Sequence, residues 1–120
     1  MRIEKARKCI QAAEALIKID AYADAASRSY YSIFHTIQAV LTTVGFSSKK
    51  HSGSISDFRR CFVKTGVFPP LYSDIVGDAF TVRNRSDYDI HYVVVRAEVV
   101  KQLENAKTFL AAVEDYIKTL

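Results

Sequence analysis

Residues 22–45, YADAASRSYYSIFHTIQAVLTTVG, predict one long helix. Apolar side chains recur along this segment at three- and four-residue steps, and additional aromatic and small residues widen the apolar stripe. Asp20 is placed to cap the first turn through a backbone N–H group, and Gly45 supplies a left-handed end. Because the stripe covers more than one face, we expect the other helices to surround this one.

Four further segments show helical periodicity. They span residues 2–18, 54–64 and 70–83, and the last begins at residue 96. The chain has only four glycines and two prolines, which favours long helices over a β fold with many turns. The prediction is therefore an all-α fold, a five-helix up-and-down bundle forming a single domain over residues 1–120.

Local signals indicate where the shorter helices begin and which residues they bury. The polar residues 47–53 predict a loop, and Ser54 with Asp57 gives a weak capping-box signal for the third helix. The run 92–95 fits either a short strand or a linker, and we favour a linker because a lone strand has no partner. The fourth helix is expected to bury one ladder of residues, Leu71, Ile75, Ala79 and Val82.

Composition and charge narrow the functional classes. A net charge of +4 and a pI near 9.1 permit an acidic partner such as nucleic acid, although a solvated basic surface gives the same values. Cys9 and Cys61 show no zinc-ligand spacing and are expected to be reduced thiols. No apolar run reaches the roughly 18 residues of a membrane span. We expect a cytoplasmic protein with no membrane association, no metal and no cofactor.

The densest chemistry lies in residues 81–92, TVRNRSDYDIHY. We expect Arg83 to close the fourth helix, with Arg83 and Arg85 offering planar guanidinium donors that match phosphate oxygens. Asn84 adds an uncharged donor, and Asp87 lies one helical turn from Arg83. A phosphate or RNA backbone is therefore the predicted ligand. The alternative is structural: Arg83 pairs with Asp87 or Asp78, and Arg85 is merely exposed.

Proton transfer in this stretch would fall to His91 or Tyr88. An imidazole can move protons near neutral pH and could assist attack by a ribose 2′-hydroxyl on the neighbouring phosphodiester. Arg85 and His91 can approach one site only if the segment between them turns back. The other histidines are expected to be structural, with His35 packed between helices and His51 in a loop.

The aromatic residues Tyr30, Tyr31 and Phe34 allow two interpretations. Their rings could stack on nucleic-acid bases. At their spacing in a long apolar helix, aromatic residues more often contribute to a core or a dimer contact. We favour the second interpretation.

The order of four segments resembles the HEPN superfamily: residues 25–35 (AASRSYYSIFH), 50–53 (KHSG), 62–66 (FVKTG) and 83–89 (RNRSDYD). The likeness is greatest to small stand-alone prokaryotic HEPN proteins with an Asp-Tyr-Asp after the fourth helix. Many of these are encoded beside a minimal nucleotidyltransferase and act as the toxin of a toxin–antitoxin pair. The resemblance implies an all-α protein that forms a homodimer.

In active members of that superfamily, an arginine, the polar residue after it and a histidine form a metal-independent ribonuclease site across the dimer, with four to six residues between the arginine and the histidine. Arg83 and Asn84 match the first two positions, but Tyr88 stands where the shortest spacing would put the histidine. Arg85 and His91 satisfy a longer spacing, with Ser86 as the polar residue. The resemblance therefore implies Arg83, Asn84, Tyr88 and His91 as catalytic candidates, and Arg83, Arg85 and Asp87 as phosphate-binding candidates.

Three functional hypotheses remain open at this stage. The first is an RNA- or nucleotide-binding HEPN protein that acts as a ribonuclease toxin. The second is a non-catalytic module that binds a nucleotidyltransferase partner or a nucleotide. The third is a cluster of salt bridges at a dimer interface. Cleavage of RNA, a stable complex without cleavage, and dissociation on charge removal would distinguish them.

Overall fold

The computed structural model describes residues 2–46 and 51–120, including their side chains except at positions 51 and 52. No strand forms within these ranges, so the predicted all-α fold is confirmed and residues 92–95 are a linker. A π-helical turn, Arg59–Val63, directly continues the third helix. The α-helices are α1 (Arg2–Lys18), α2 (Tyr22–Thr42), α3 (His51–Phe58), α4 (Pro70–Tyr88) and α5 (Arg96–Lys118).

Helix α2 is the centre of the fold, as its wide apolar stripe predicts. It packs against α1, α3, α4 and α5, and most of its residues from Ala25 to Leu41 are buried. Small side chains bring α1 close to it, because Ala6 and Ala13 are fully buried. In that contact the Ser32 hydroxyl donates a hydrogen bond of 2.9 Å to the carbonyl oxygen of Ala6.

Gly45 ends α2 in the predicted left-handed conformation, with φ of 78°. The Phe46 N–H donates to the Leu41 carbonyl at 3.1 Å, and the Gly45 N–H donates to the Thr42 carbonyl at 3.2 Å. This pair of hydrogen bonds is the Schellman motif, which satisfies the last carbonyl groups of a helix. The chain therefore leaves α2 at Gly45, the predicted end of the helix.

Two predicted helix starts are wrong, because the polar side chains have other partners. Asp20 does not cap α2; its φ is 61°, and it accepts a hydrogen bond from the Tyr22 hydroxyl at 2.9 Å. Ser54 lies inside α3 and accepts a hydrogen bond from the Gln38 amide, so it begins no capping box. Because α3 begins at His51, the predicted loop is wrong for residues 51–53, while residues 47–50 lie outside the described part of the chain.

Helix α4 differs from its prediction at both ends. It begins at Pro70, where a missing N–H costs nothing, but Leu71 in the first turn is 55% exposed and does not join the core ladder that Ile75 begins. It does not close at Arg83 but continues to Tyr88, with Asp89 after its last residue. No glycine or proline interrupts residues 84–88, and polar side chains at an exposed helix end do not stop a helix.

Candidate functional site

Arg83 lies where α4 packs on α2, and only 19% of its side chain is exposed. Its Nη2 atom donates a hydrogen bond of 3.2 Å to the Tyr31 hydroxyl oxygen. Its Cζ atom lies 5.3 Å from the centre of the Tyr30 ring and 5.6 Å from that of Tyr31, within cation–π range. Two aromatic residues of α2 thus hold the guanidinium group in place.

Asp87 contacts the same guanidinium group from one turn along α4. Its Oδ2 atom lies 3.0 Å from Arg83 Nε, although the Nε–H is not aligned for a hydrogen bond. The contact is therefore an ion pair, as the structural alternative predicts. Among the described residues, Nη1 of Arg83 makes no hydrogen bond. That atom is the donor left for a ligand.

The surroundings of Arg83 carry more positive than negative charge. The Arg28 Cζ atom lies 5.9 Å from the centre of the Tyr31 ring, so two guanidinium groups lie beside this tyrosine, while one carboxylate, that of Asp87, pairs with Arg83. Burial raises the pKa of Tyr30 to about 12, although the nearby Arg83 charge opposes that rise. Tyr30 therefore stays a neutral phenol at physiological pH and cancels none of the positive charge.

Asn84 and Arg85 follow Arg83 but face different surroundings. The Asn84 amide is half-buried and makes no hydrogen bond among the described residues. Arg85 is exposed, with its Cζ atom 4.3 Å from the centre of the Tyr92 ring. Since residues two apart on a helix do not face each other, Arg83 and Arg85 do not meet in one site of a single protomer.

The chain does turn back after α4, but it brings Tyr92 to Arg85 instead of His91. The Tyr92 N–H donates to the Asp89 carbonyl at 3.1 Å in the turn. Its hydroxyl donates to the Glu98 carboxylate; burial and then this hydrogen bond raise the pKa of Tyr92 to about 12. Tyr92 thus anchors the linker between α4 and α5, and Arg85 covers its ring.

The two candidates for proton transfer lie beyond the guanidinium site. Tyr88 is the last residue of α4 and is 77% exposed. His91 is exposed in the turn, where its backbone N–H donates to the Asp89 carboxylate at 3.0 Å. Neither side chain contacts Arg83 among the residues that the structure describes. Their roles as acid or base remain predictions.

Sequence reasoning misses Tyr31 as a partner of Arg83. The spacing of the tyrosine pair in α2 predicts a core or dimer contact, and Tyr30 is indeed in the core with 2% of its surface exposed. Tyr31 is only partly buried and offers its hydroxyl to α4. An arginine near the end of one apolar helix and a tyrosine pair in another are the signals that could have suggested this contact.

No helix among the described residues has the length and apolar character needed to cross a membrane. No group of three or more histidine, cysteine, aspartate or glutamate residues in this part of the chain is placed to hold a metal ion.

The chain is similar over most of its length to a known domain family and to several other proteins. The HEPN domain family matches residues 1–116. A Methanocaldococcus jannaschii protein named "Putative toxin MJ0142" is 33% identical over 115 residues, covering 96% of this chain and 78% of that protein. A second from that organism, "Putative toxin MJ0605", is 37% identical over 86 residues, covering 72% of this chain and 64% of that protein. A "UPF0332 protein" of Thermotoga maritima is 35% identical over 117 residues, with coverages of 97% and 88%.

A solved structure shares the fold. The crystal structure of TT1696 from Thermus thermophilus superposes with a TM-score of 0.79, covering 95% of this chain and 94% of that one. The two sequences are 19% identical, so the likeness concerns the helical arrangement alone. It agrees with the five helices found in the described part of the chain.

Proposed function

This chain belongs to the HEPN domain family, and from that premise we propose that it is a toxin that binds and cleaves RNA. The observation that carries the proposal is the Arg83 guanidinium group, four-fifths buried, held by Tyr31 and Asp87, with Nη1 left for a ligand. The toxin names of the two M. jannaschii relatives support the biological role.

Arg83 suits phosphate better than a carboxylate metabolite. A guanidinium group keeps its charge at physiological pH and offers planar N–H donors that match phosphate oxygens. Its position is fixed by α2, so binding a phosphate costs little side-chain entropy. Asn84 adds an uncharged donor one residue further along the helix, and Arg28 adds positive charge across the Tyr31 ring. Together these groups support a site for the RNA backbone.

The proposed reaction is attack of a ribose 2′-oxygen on the adjacent phosphorus. A base takes the 2′-hydroxyl proton, the new O–P bond forms, and the bond to the 5′-oxygen breaks as that oxygen receives a proton. The products are a 2′,3′-cyclic phosphate and a 5′-hydroxyl end. Arg83 stabilises the negative charge that develops on the phosphate oxygens.

His91 and Tyr88 are the proposed proton-transfer residues, and their position calls for a second protomer. Both are exposed after the last buried turn of α4, away from the Arg83 guanidinium of the same chain. In the proposed homodimer, one of them reaches the phosphate that Arg83 of the other protomer holds. The proposed antitoxin is a minimal nucleotidyltransferase, as the resemblance of residues 83–89 implies.

The test compares induced expression and purified protein for the native chain, Arg83→Ala and Arg60→Ala. Arg60 is a matched control because it is exposed and paired with Asp57 at 2.9 Å, away from Arg83. We expect the native chain and Arg60→Ala to arrest growth and to release 2′,3′-cyclic phosphate ends in the presence of EDTA. We expect Arg83→Ala to lower cleavage about 100-fold, the effect of losing one donor to a developing oxyanion. Equal cleavage by all three proteins would overturn the role of Arg83.

A second candidate function is a non-catalytic module that binds RNA, a nucleotide or a nucleotidyltransferase partner. Two observations favour it: Asp87 already pairs with Arg83, and His91 makes no contact with Arg83 among the described residues. This candidate predicts protection from thermal unfolding by RNA or nucleotide, or a stable partner complex, with no cleavage by the native chain. Release of cyclic phosphate ends by the native chain alone would exclude it.

A further inference from the structure

Arg59, the first residue of the π-helical turn, lies across α4. Its Nε atom donates to the Ser73 hydroxyl at 2.8 Å, and its Nη2 atom donates to the Ser73 carbonyl at 3.3 Å. A Cβ atom at Gly77 would lie only 2.9 Å from that Nη2 atom. The missing side chain at Gly77 thus leaves the space that the guanidinium group occupies. Two hydrogen bonds and this space hold Arg59 in one orientation.

Arg59 differs from its neighbour Arg60 in having no ion-pair partner among the described residues. Arg60 pairs with the Asp57 carboxylate at 2.9 Å, and its Cζ atom lies 5.0 Å from the centre of the Phe46 ring. Arg59 forms hydrogen bonds only with neutral groups of Ser73, and among the described residues it has no ion pair. Its Nη1 atom makes no hydrogen bond to any described residue. Arg59 is therefore a fixed, uncompensated cation with a donor available.

The backbone at Arg59 is also unusual. The Lys64 N–H donates to the Arg59 carbonyl at 2.8 Å, the five-residue spacing of a π-helix. Single π-helical turns are rare and frequently occur at functional sites. The π-helical turn begins at Arg59, the residue whose side chain reaches α4, so the irregular backbone and the positioned guanidinium group belong to the same residue.

One partly exposed face of α4 runs from the Arg59 side chain toward Arg83. A cavity of about 180 Å³ is lined by Ile55, Ser56, Arg59, Gly77 and Phe80. The Phe80 ring lies 6.1 Å from the Tyr30 ring, and the Arg83 guanidinium lies over the same Tyr30 ring. Along α4, Gly77, Phe80 and Asn84 share one face, and Gly77 and Asn84 are separated by about 10 Å of helix.

We propose that Arg59 binds a second phosphate of the same RNA strand, and that one base occupies the cavity beside Phe80. This inference rests on the proposed function, in which Arg83 holds the first phosphate. Gly77, beside Arg59, and Asn84, next to Arg83, are separated by about 10 Å of helix, so one strand that reaches both arginines extends along α4. The ligand is single-stranded RNA, because only an unpaired base can turn its face to an aromatic ring.

The size and lining of the cavity suit a base. A volume of about 180 Å³ is below the roughly 300–1,000 Å³ of pockets for larger ligands, so it fits a single planar ring system. Ile55 and the half-buried Phe80 provide apolar walls, and the Ser56 hydroxyl is exposed at the edge. Stacking on an aromatic ring is tolerant of base identity, so we expect little sequence preference at this position.

The test measures the affinity of native protein, Arg59→Gln and Arg60→Gln for 2′-O-methyl oligouridylates, which cannot be cleaved by 2′-hydroxyl attack. A dinucleotide has one internucleotide phosphate for Arg83, whereas a hexanucleotide can also reach Arg59. We expect Arg59→Gln to weaken hexanucleotide binding about tenfold and to leave dinucleotide binding unchanged. The slope of log affinity against log salt should fall by about 0.7, the value for one phosphate on a single strand.

Arg60→Gln removes the same charge one residue away and should leave both affinities within about twofold. Arg83→Ala is measured beside them. If Arg59→Gln matches Arg60→Gln while Arg83→Ala weakens binding of both oligonucleotides, the second phosphate site is wrong and the proposed function stands. If neither the native protein nor its variants bind either oligonucleotide, both proposals fail.

Gly77→Ala provides a second variant that keeps the Arg59 charge. Alanine favours a helix over glycine, so this variant should fold. Its Cβ atom displaces the Arg59 guanidinium group from the position that it holds. We expect hexanucleotide affinity to fall about threefold or more, with dinucleotide affinity unchanged. Unchanged hexanucleotide affinity for Gly77→Ala would show that the fixed orientation of Arg59 contributes nothing to binding.

Discussion

At the residue scale, Asp87 both orients Arg83 and opposes its ligand. Its carboxylate lies 3.0 Å from Arg83 Nε and leaves the Nη1 atom unoccupied. The same negative charge repels an incoming phosphate. Because 37% of the Asp87 side chain is exposed, solvent reduces both effects. Asparagine separates shape from charge, because it keeps a side chain of the same size beside Nε and removes the negative charge.

We therefore predict that Asp87→Asn raises the affinity for RNA about two- to fivefold, the equivalent of about 0.5–1 kcal/mol. The reason is that a side chain of the same size still packs beside Nε while the repulsion of phosphate disappears. The measurement is fluorescence anisotropy with the uncleavable hexanucleotide at low salt. Asp87→Ala is the control: it removes the charge and the side chain together, so any smaller gain in affinity reports the loss of packing beside Arg83. Weaker binding by Asp87→Asn would contradict the prediction.

At the element scale, the end of α2 depends on the backbone conformation of Gly45. Its φ is 78°, and a Cβ atom built there would meet nothing within 4 Å. We predict that Gly45→Ala lowers the free energy of unfolding by about 1–2 kcal/mol through backbone strain alone. Urea unfolding at neutral pH measures the effect. Asparagine tolerates the left-handed conformation better than alanine, so equal losses for Gly45→Asn and Gly45→Ala would contradict this cause.

The sequence predicts the existence of each helix better than its ends. The long periodic stripes of α1, α2 and α5 are confirmed because apolar spacing alone specifies a helix that faces a core. Predictions of helix ends are wrong where a polar side chain can either cap the helix or form a hydrogen bond elsewhere. Asp20 and Ser54 both look like caps, yet they bond to Tyr22 and Gln38 instead. The helix end predicted at Gly45 is confirmed because glycine adopts the left-handed backbone conformation far more readily than other residues.

The π-helical turn at Arg59–Val63 could not be predicted from periodicity. One widened turn changes the spacing for too few residues to leave a pattern. The orientation of Arg59 is equally hidden in the sequence, because it depends on the absent side chain of Gly77 on another helix. Periodicity places Arg59 and Arg60 off the core face of this helix, but it does not tell which of the two arginines forms an ion pair.

At the scale of the whole molecule, the candidate site combines residues from distant parts of the chain. Arg83 can be identified from its local sequence and from the HEPN resemblance. Its hydrogen bond to Tyr31 joins residues 52 positions apart, so only the packing of α4 on α2 shows that contact. The sequence also groups Arg83 with Arg85, but helical geometry directs Arg85 to Tyr92. Proximity along the chain therefore overstates how many residues of this stretch share one site.

The contact between α1 and α2 supports the site without forming part of it. Ala13 of α1 is fully buried, whereas Ala15 on the same helix is exposed. Tyr31 of α2 contacts α4, and its neighbour Ser32 bonds to α1 at Ala6. Adjacent residues on a helix point about 100° apart, so α2 uses different faces for the two contacts. A change at Ala13 should therefore alter stability and leave the site intact.

We predict that Ala13→Leu lowers the free energy of unfolding by about 1–3 kcal/mol, because a close-packed interior has no room for the larger side chain. Ala15→Leu adds the same atoms to the surface and should change stability by less than about 0.5 kcal/mol. Urea unfolding measures both, and oligonucleotide affinity is measured well below the unfolding transition. We expect that affinity to stay within about twofold of native in both variants. A folded Ala13→Leu protein that no longer binds RNA would show that α1 packing determines the position of Tyr31 and, through it, of Arg83.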